Sequence, residues 1–175
     1  MNVNGFVLAG GKSTRMGRDK AALPWHGRTL LDHMIGLLSA AADLVRVVGR
    51  GELPDRVPNR GPLGGMATAL EVSETDANLV VGVDLPLLTP EFLQYLRLRT
   101  EESTRPIVAC KLESNFPLCL GLRKSLLPAI EQRLASGKLS IHTLIETSGA
   151  ELFSWPDAAI FKNINTPADL ANLSD

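Results

Sequence analysis

The sequence predicts an α/β fold: one Rossmann-like, three-layer domain over residues 1–175 with a mostly parallel central sheet. Three observations predict it. Short apolar runs alternate with longer segments of helical period, as a parallel sheet with crossover helices requires. The first run, Phe6-Val7-Leu8-Ala9, stops abruptly at Gly10-Gly11, as a buried strand does when it enters a loop with free backbone N–H groups. A later run, Asn78-Leu79-Val80-Val81-Gly82-Val83, stops at Asp84-Leu85-Pro86. That sets a carboxylate at the carboxyl end of a strand, where open α/β sheets bind ligands.

In chain order, Phe6 to Ala9 is the first strand. Thr29 to Ala42 carries Leu30, Leu31, Met34, Ile35, Leu37 and Leu38 at helical spacing, a stripe that covers one sheet face. Leu44 to Val48 is the second strand, and Gly49-Arg50-Gly51 ends it with a turn, completing a β-α-β unit. Glu52 to Arg60, rich in proline and charge, reads as a surface connection near the ligand edge of the sheet. Gly61-Pro62-Leu63-Gly64-Gly65-Met66 then leads into a helix through about Glu71. Glycines just before a helix expose its free N–H groups and the positive end of its dipole, a cradle for an anion or a base, although a plain helix-start turn explains them equally well. After the strand at 78–83, Thr89 as N-cap and Pro90 in the first turn begin a helix to about Arg99. Pro106 to Lys111 and Pro117 to Leu122 read as two strands, with Glu113-Ser114-Asn115 between them as a hairpin turn or a longer excursion. Lys124 to Ala135 has helical spacing, a short helix opens near Gly137 to His142, and Glu151 to Trp155 is the last strand. Thr166, Pro167 and Asp169 carry the capping pattern of a closing helix.

Composition narrows the function. At 175 residues and 45% hydrophobic content, the chain can bury a core without disulfides or metal staples. A net charge of −1 with mixed signs offers no electrostatic footprint for nucleic acid. No apolar run approaches the roughly 18 residues that span a bilayer, and the expected location is the cytoplasm with no membrane partner. Cys110 and Cys119 sit in apolar stretches at a spacing that suits neither a redox pair nor a zinc site, so both read as core thiols. His26 falls at a turn and His33 on a helix, and with His142 they form no i, i+4 metal pair.

The chemistry gathers in the first loop, where Lys12, Arg15 and Lys20, with Arg18 beside them, follow the glycines and can neutralise a polyanion. A P-loop is excluded, because its first glycine falls at position 6, which is Phe6. A dinucleotide fingerprint is also excluded, since no triplet of glycines in the first twenty residues has the required spacing. Asp84 has two readings. It can hold magnesium, which takes a hard oxygen donor and fills its remaining positions with water and phosphates. It can also simply cap the turn before Pro86.

The order Leu8-Ala9-Gly10-Gly11-x-Ser13-x-Arg15-Met16-Gly17-x-Asp19-Lys20 resembles the signature loop of the nucleotidyltransferases that activate sugars and cofactors, and most of all that of the molybdenum cofactor guanylyltransferases. Gly-Pro-Leu-Gly-Gly at 61–65, Asp-x-Pro at 84–86 and Asn-Ile-Asn-Thr-Pro-x-Asp-Leu at 163–170 are similar to further motifs of that family. The resemblance implies a GT-A-like nucleotidyltransferase fold, with a nucleotide-binding half at about 1–100 and an acceptor-binding half at about 101–175. It implies transfer of GMP from GTP to the phosphate of molybdopterin or molybdenum-molybdopterin, with Mg²⁺ as cofactor and pyrophosphate released. Leu8, Ala9, Gly10, Gly11, Ser13, Lys20, Gly61, Pro62, Gly64 and Asp84 would bind the nucleotide, and Asn59 or Asp55 would fill the place of the family's base-reading carboxylate. Arg15, Lys20 and Asp84 would be catalytic, Asp84 as the metal ligand, and Asn163 and Asn165 would face the acceptor. Gly-Gly at 10–11, where the cytidylyltransferases typically have alanine first, leaves room for a purine. On the acceptor side, Phe116 stands where relatives often have a polar residue, and Lys138 is the clear base where they show arginines. The alternatives are a cytidylyltransferase or sugar-phosphate nucleotidyltransferase, or a non-catalytic GTP-binding adaptor. Proteins that deliver the cofactor and apo-molybdoenzymes that receive it are the implied protein partners.

Overall fold

The computed structural model describes residues 2–10, 19–165 and 167–174. Eight strands and six helices are described: β1 (Val3–Leu8), β2 (Pro24–Trp25), β3 (Arg28–Thr29), α1 (Leu30–Ser39), β4 (Leu44–Val48), α2 (Gly61–Val72), β5 (Ala77–Gly82), α3 (Pro90–Glu102), β6 (Ile107–Cys110), β7 (Cys119–Arg123), α4 (Leu127–Ala135), α5 (Ile141–Thr147), β8 (Glu151–Phe153) and α6 (Pro167–Ser174). Six strands form the central sheet in the order β4-β1-β5-β7-β6-β8, and β2 and β3 form a separate hairpin. β1 lies parallel to β4 and β5, and β6 parallel to β8; β7 runs antiparallel between β5 and β6. The sheet is therefore mostly parallel with helices on both faces, as the alternating pattern predicts.

Strand alternation divides the core in two. Val3 and Val7 of β1, with Ala77, Leu79 and Val81 of β5, face α1 and α3 through Leu30, Met34, Leu38, Phe92, Leu93 and Leu96. Phe6, Leu8 and Val80 face α2, α4 and α5 through Leu63, Met66, Leu70, Ile130, Leu134, Leu144 and Ile145. Phe6 and Phe92 are fully buried, and burying such a side chain stabilises the fold by about 1.5–3 kcal/mol relative to leaving it exposed. Cys110 and Cys119 are free and buried, as core thiols should be, and complete burial pushes the Cys119 thiol well above the usual range.

Several boundaries differ from the sequence reading by a few residues, and two of them do so for clear local reasons. α1 begins after its N-cap Thr29, whose hydroxyl accepts from Asp32 N at 3.0 Å, but ends at Ser39 instead of Ala42. Beyond it the chain is drawn into the sheet, with Asp43 N donating to Val3 O at 2.9 Å and the Asp43 carboxylate accepting from Val3 N at 2.8 Å. α2 starts at Gly61 itself, so Gly64 and Gly65 lie within the helix instead of preceding it. Pro62 in the first turn fixes a helical φ at no hydrogen-bond cost, which allows the helix to start before the glycines end. Among the described residues, no helix is long and apolar enough to cross a membrane.

Candidate active site

Three parallel strands finish level with one another. Leu8 is in register with Val48 and with Gly82, and Ala9 N donates to Val48 O at 2.9 Å while Val83 N donates to Leu8 O at 3.1 Å. The residues just beyond, Gly10, Arg50 and Asp84, are thus delivered to one edge. A cleft of about 510 Å³ opens there, lined by Leu8, Ala9, Gly10, Asp19, Lys20, Asp55, Asn59, Gly61, Pro62, Gly65, Asp84 and Leu118 among others.

Of the sequence-predicted residues, Leu8, Ala9, Gly10, Lys20, Asn59, Gly61, Pro62 and Asp84 line this cleft. Gly11, Ser13 and Arg15 lie outside the described residues. Gly64 faces another way: a side chain there would meet Arg60 Cβ and Val57 O at 3.1 Å, and its neighbour Gly65 lines the cleft instead. Phe116 stacks on His142 of α5, with ring centroids 5.1 Å apart, and Lys138 is exposed.

At one end of the cleft, Lys20 Nζ lies 3.7 Å from Asp84 Oδ2 and donates to Asn165 Oδ1 at 3.1 Å. Each partner is held from behind. Asp19 caps the 3₁₀ turn Lys20–Ala22, its carboxylate accepting from Ala21 N at 3.1 Å. The Asp84 carboxylate sits over Gly82, where a Cβ would fall 2.8 Å from Oδ1, and the Asp84 carbonyl accepts from Ile164 N at 2.9 Å. Fully buried Ile164 and the Phe161 ring, 4.9 Å from that of Phe92, anchor the segment that brings Asn165 to the lysine. Asn163, two residues earlier, is exposed.

Asp55 occupies the far wall, between Gly10 and α2: its Oδ2 is 2.6 Å from where a Gly10 side chain would begin, and its Oδ1 is 3.6 Å from that point at Gly65. Burial raises its pKa from the ordinary carboxylate value. Asn59 also lines the cleft, in a left-handed conformation with φ of 61°. Spacing in the connection leaves the two residues as equals, whereas the fold seats the half-buried carboxylate of Asp55 against Gly10.

Two residues here were not singled out in the sequence. Arg50 donates through Nε and Nη2 to Ala9 O, at 3.1 and 3.0 Å, and through Nη1 and Nη2 to the two oxygens of Asp19, both at 2.7 Å. These bonds hold the Asp19 carboxyl below the usual range and raise the guanidinium. His33 of α1 reaches the Asp84 turn from the other side, Nε2 lying 2.7 Å from Pro86 O. A carbonyl only accepts, so Nε2 carries the proton. Its Nδ1 is buried with no partner among the described residues.

Burial lowers the His33 pKa, outweighing the Pro86 hydrogen bond, which raises it. Below the ordinary value of about 6.5 the unfolded chain takes up a proton that the folded chain resists. The stabilisation is therefore complete above that pH and is lost as pH falls through the lowered value. Asp55 acts with opposite sign, because a raised carboxyl stabilises below its unfolded value and loses that contribution as pH rises through the folded one. We expect the melting temperature of the wild type to fall between pH 7 and pH 5, and His33→Gln to flatten that fall. An unchanged slope in thermal unfolding of the variant would remove His33 as the cause.

A divalent cation has few donors to choose from. Among the described residues, no group of three or more His, Cys, Asp and Glu side chains could hold a metal by itself. The lone Asp84 carboxylate at the open strand end suits magnesium, which keeps several waters and shares phosphate oxygens, and does not suit an ion that demands a protein cage.

The family model of the MobA-like NTP transferase domain matches residues 5–151. The chain is 34% identical over 191 residues to a probable molybdenum cofactor guanylyltransferase of Mycobacterium avium, covering 99% of this chain and 96% of that protein. It is 36% identical over 186 residues to the molybdenum cofactor guanylyltransferase of Xanthomonas euvesicatoria pv. vesicatoria, covering 97% and 93%. Its fold matches the crystal structure of molybdopterin-guanine dinucleotide biosynthesis protein A from Archaeoglobus fulgidus with a TM-score of 0.82 at 22% identity, covering 98% of this chain and 96% of that one.

Proposed function

Since the chain belongs to the family of MobA-like NTP transferase domains, we propose that it is a molybdenum cofactor guanylyltransferase, transferring GMP from GTP to the phosphate of molybdopterin or molybdenum-molybdopterin. The observation that carries this reading is the meeting of Lys20, at the end of the first loop, with Asp84, at the end of β5, in one cleft. An acceptor phosphate oxygen bonds to the α-phosphorus, the bond from that phosphorus to the bridging oxygen breaks, and pyrophosphate leaves with its electron pair. The acceptor is already an anion, so no serine, cysteine or histidine nucleophile is needed, and rate comes from alignment and charge screening.

In this reading Lys20 neutralises charge on the departing pyrophosphate, and Arg15 shares that task. Asp84 would hold Mg²⁺, which would screen the phosphate charge and favour in-line displacement. The free N–H groups at the start of α2, where Gly61 and Pro62 line the cleft, face the nucleotide. Asp55, an acceptor-only group with two oxygens, fits the N1–H and N2–H donors of guanine, an edge that cytosine does not present. Asn165, already bonded to Lys20, lies where the acceptor phosphate must approach, and Asn163 sits on the same segment. The nucleotide is thus assigned to the half up to about residue 100 and the acceptor to the remainder.

Thermal unfolding with GTP, CTP and ATP, each with magnesium, tests the nucleotide. At a hundredfold excess over Kd the folded state gains about 2.7 kcal/mol, raising the melting temperature by about 5–10 °C. We expect that shift with GTP and a much smaller one with CTP. Adding molybdopterin to the GTP sample should then release pyrophosphate. Preference for CTP would point to the cytidylyl alternative, and GTP binding without pyrophosphate release to a non-catalytic binder.

A further inference from the structure

We propose that Arg50 is a positioning residue that latches the two ends of the first loop and cancels the charge of Asp19 toward the bound triphosphate. The inference rests on the nucleotide reading above and adds a residue that no loop motif contains. Ala9 and Asp19 flank Gly10 to Arg18, and one guanidinium holds both, through two bonds to the Ala9 carbonyl and a bidentate pair to the Asp19 carboxylate. One guanidinium thus fixes the separation of Ala9 and Asp19, and with it that of their cleft-lining neighbours Gly10 and Lys20.

The second effect is electrostatic. Asp19 lines the cleft, and nearly half of its side-chain surface is exposed, at 47%. Left unpaired, its carboxylate would face a polyanion beside Lys20 and oppose the lysine's charge. Arg50 removes that opposition and orients Asp19, which caps the turn that aims Lys20 at Asp84. Only a planar fork can reach the carbonyl and both carboxylate oxygens together, so lysine at this position would keep the charge and lose the latch.

The test is a double-mutant cycle read as GTP affinity by calorimetry at low and high salt. Arg50→Ala should weaken GTP binding at least about tenfold at low salt, because truncating one partner strands the other's charge. Adding Asp19→Asn to it should recover about threefold or more of that loss, since the repelling carboxylate is gone. The loss in Arg50→Ala should also shrink in about 1 M salt, where charges are screened beyond about 3 Å. Arg50→Lys, which keeps the net charge and guards against a folding failure of the alanine variant, should bind with intermediate affinity and show little salt dependence in its defect. A general loss of fold would give neither the recovery nor the salt effect. If Arg50→Ala binds GTP within twofold of wild type, the positioning role is overturned while the nucleotide reading stands; if the double variant binds no more tightly than Arg50→Ala, the cancelling of the Asp19 charge is overturned. Failure of the wild type to bind GTP overturns both.

Discussion

Asp84→Asn is expected to lower guanylyl transfer by about 10²–10³-fold in kcat/KM while leaving the fold intact. The substitution keeps the shape of the side chain over Gly82 and the backbone bond from Ile164 N to Asp84 O, so packing has little reason to change. What it removes is the negative charge, on which the proposed magnesium binding and the Lys20 contact depend. The Asp84 and Lys20 side chains are 22% and 20% exposed. Each is therefore partly hydrated, and losing their attraction should cost no more than about 1 kcal/mol of stability. Initial rates of pyrophosphate release and thermal unfolding, measured on the same preparation, separate the two quantities. A variant that kept a third of wild-type turnover with GTP would show that Asp84 only caps its turn. Lys20→Ala should lose activity comparably, but it should also weaken GTP binding, because the lysine is assigned to the triphosphate itself.

Strands are legible where an apolar run is ended by glycine or aspartate, which leaves it few other ways to fold. Leu44 to Val48 is bounded correctly although it is a half-buried edge strand, and β1 and β5, buried throughout, are found to within a few residues. The β2–β3 hairpin escaped notice: two strands of two residues each carry no periodicity, and the signal that remained was His26-Gly27, with φ of 44° and 81°. Asn-Gly there would have been conspicuous; His-Gly was not. The hairpin reading of Glu113-Ser114-Asn115 agrees with the antiparallel pairing of β6 and β7, but hydrophobic pattern does not reveal that β7 also pairs antiparallel with β5, since a buried strand looks alike in either direction.

The site was legible in proportion to how local its residues are. Gly10 and Asp84 stand just beyond the ends of β1 and β5, and Lys20 closes the loop motif that Gly10 opens, so a motif and a topology rule suffice to bring them together. The choice of Asp55 over Asn59 depends on how the proline-rich connection folds back on Gly10, which spacing does not encode. Arg50 was read only as part of a turn after β4, because its partners, Ala9 and Asp19, are contributed by a separate loop and no periodicity links them. His33 was placed on its helix, but its bond to Pro86 crosses from α1 to the turn after β5, a contact that exists only once the layers are assembled.

Gly49→Ala is expected to produce the largest stability loss of any single-methyl change near the cleft, about 2–5 kcal/mol, from strain and overpacking together. Gly49 has φ of +93°, and a Cβ there would collide with Gly10 N and Gly10 Cα. Backbone atoms cannot rotate away as a side chain can. Gly10 itself is confined on the other side by Asp55 Oδ2, 2.6 Å from its own Cβ position, so the strand end must move as a unit. Gly51→Ala is the internal control, because it too has positive φ, at +60°, but nothing lies within 4 Å of its added methyl. There the left-handed backbone alone costs about 1–2 kcal/mol, partly offset by the stiffer unfolded chain. Urea unfolding should therefore separate the two variants by about 1 kcal/mol or more. GTP affinity should fall at least about tenfold in Gly49→Ala, where Gly10 is displaced, and hardly at all in Gly51→Ala. Equal unfolding free energies would mean that the contact between the two glycines does not limit the turn, and the close approach of β1 and β4 at the cleft would lose its energetic basis.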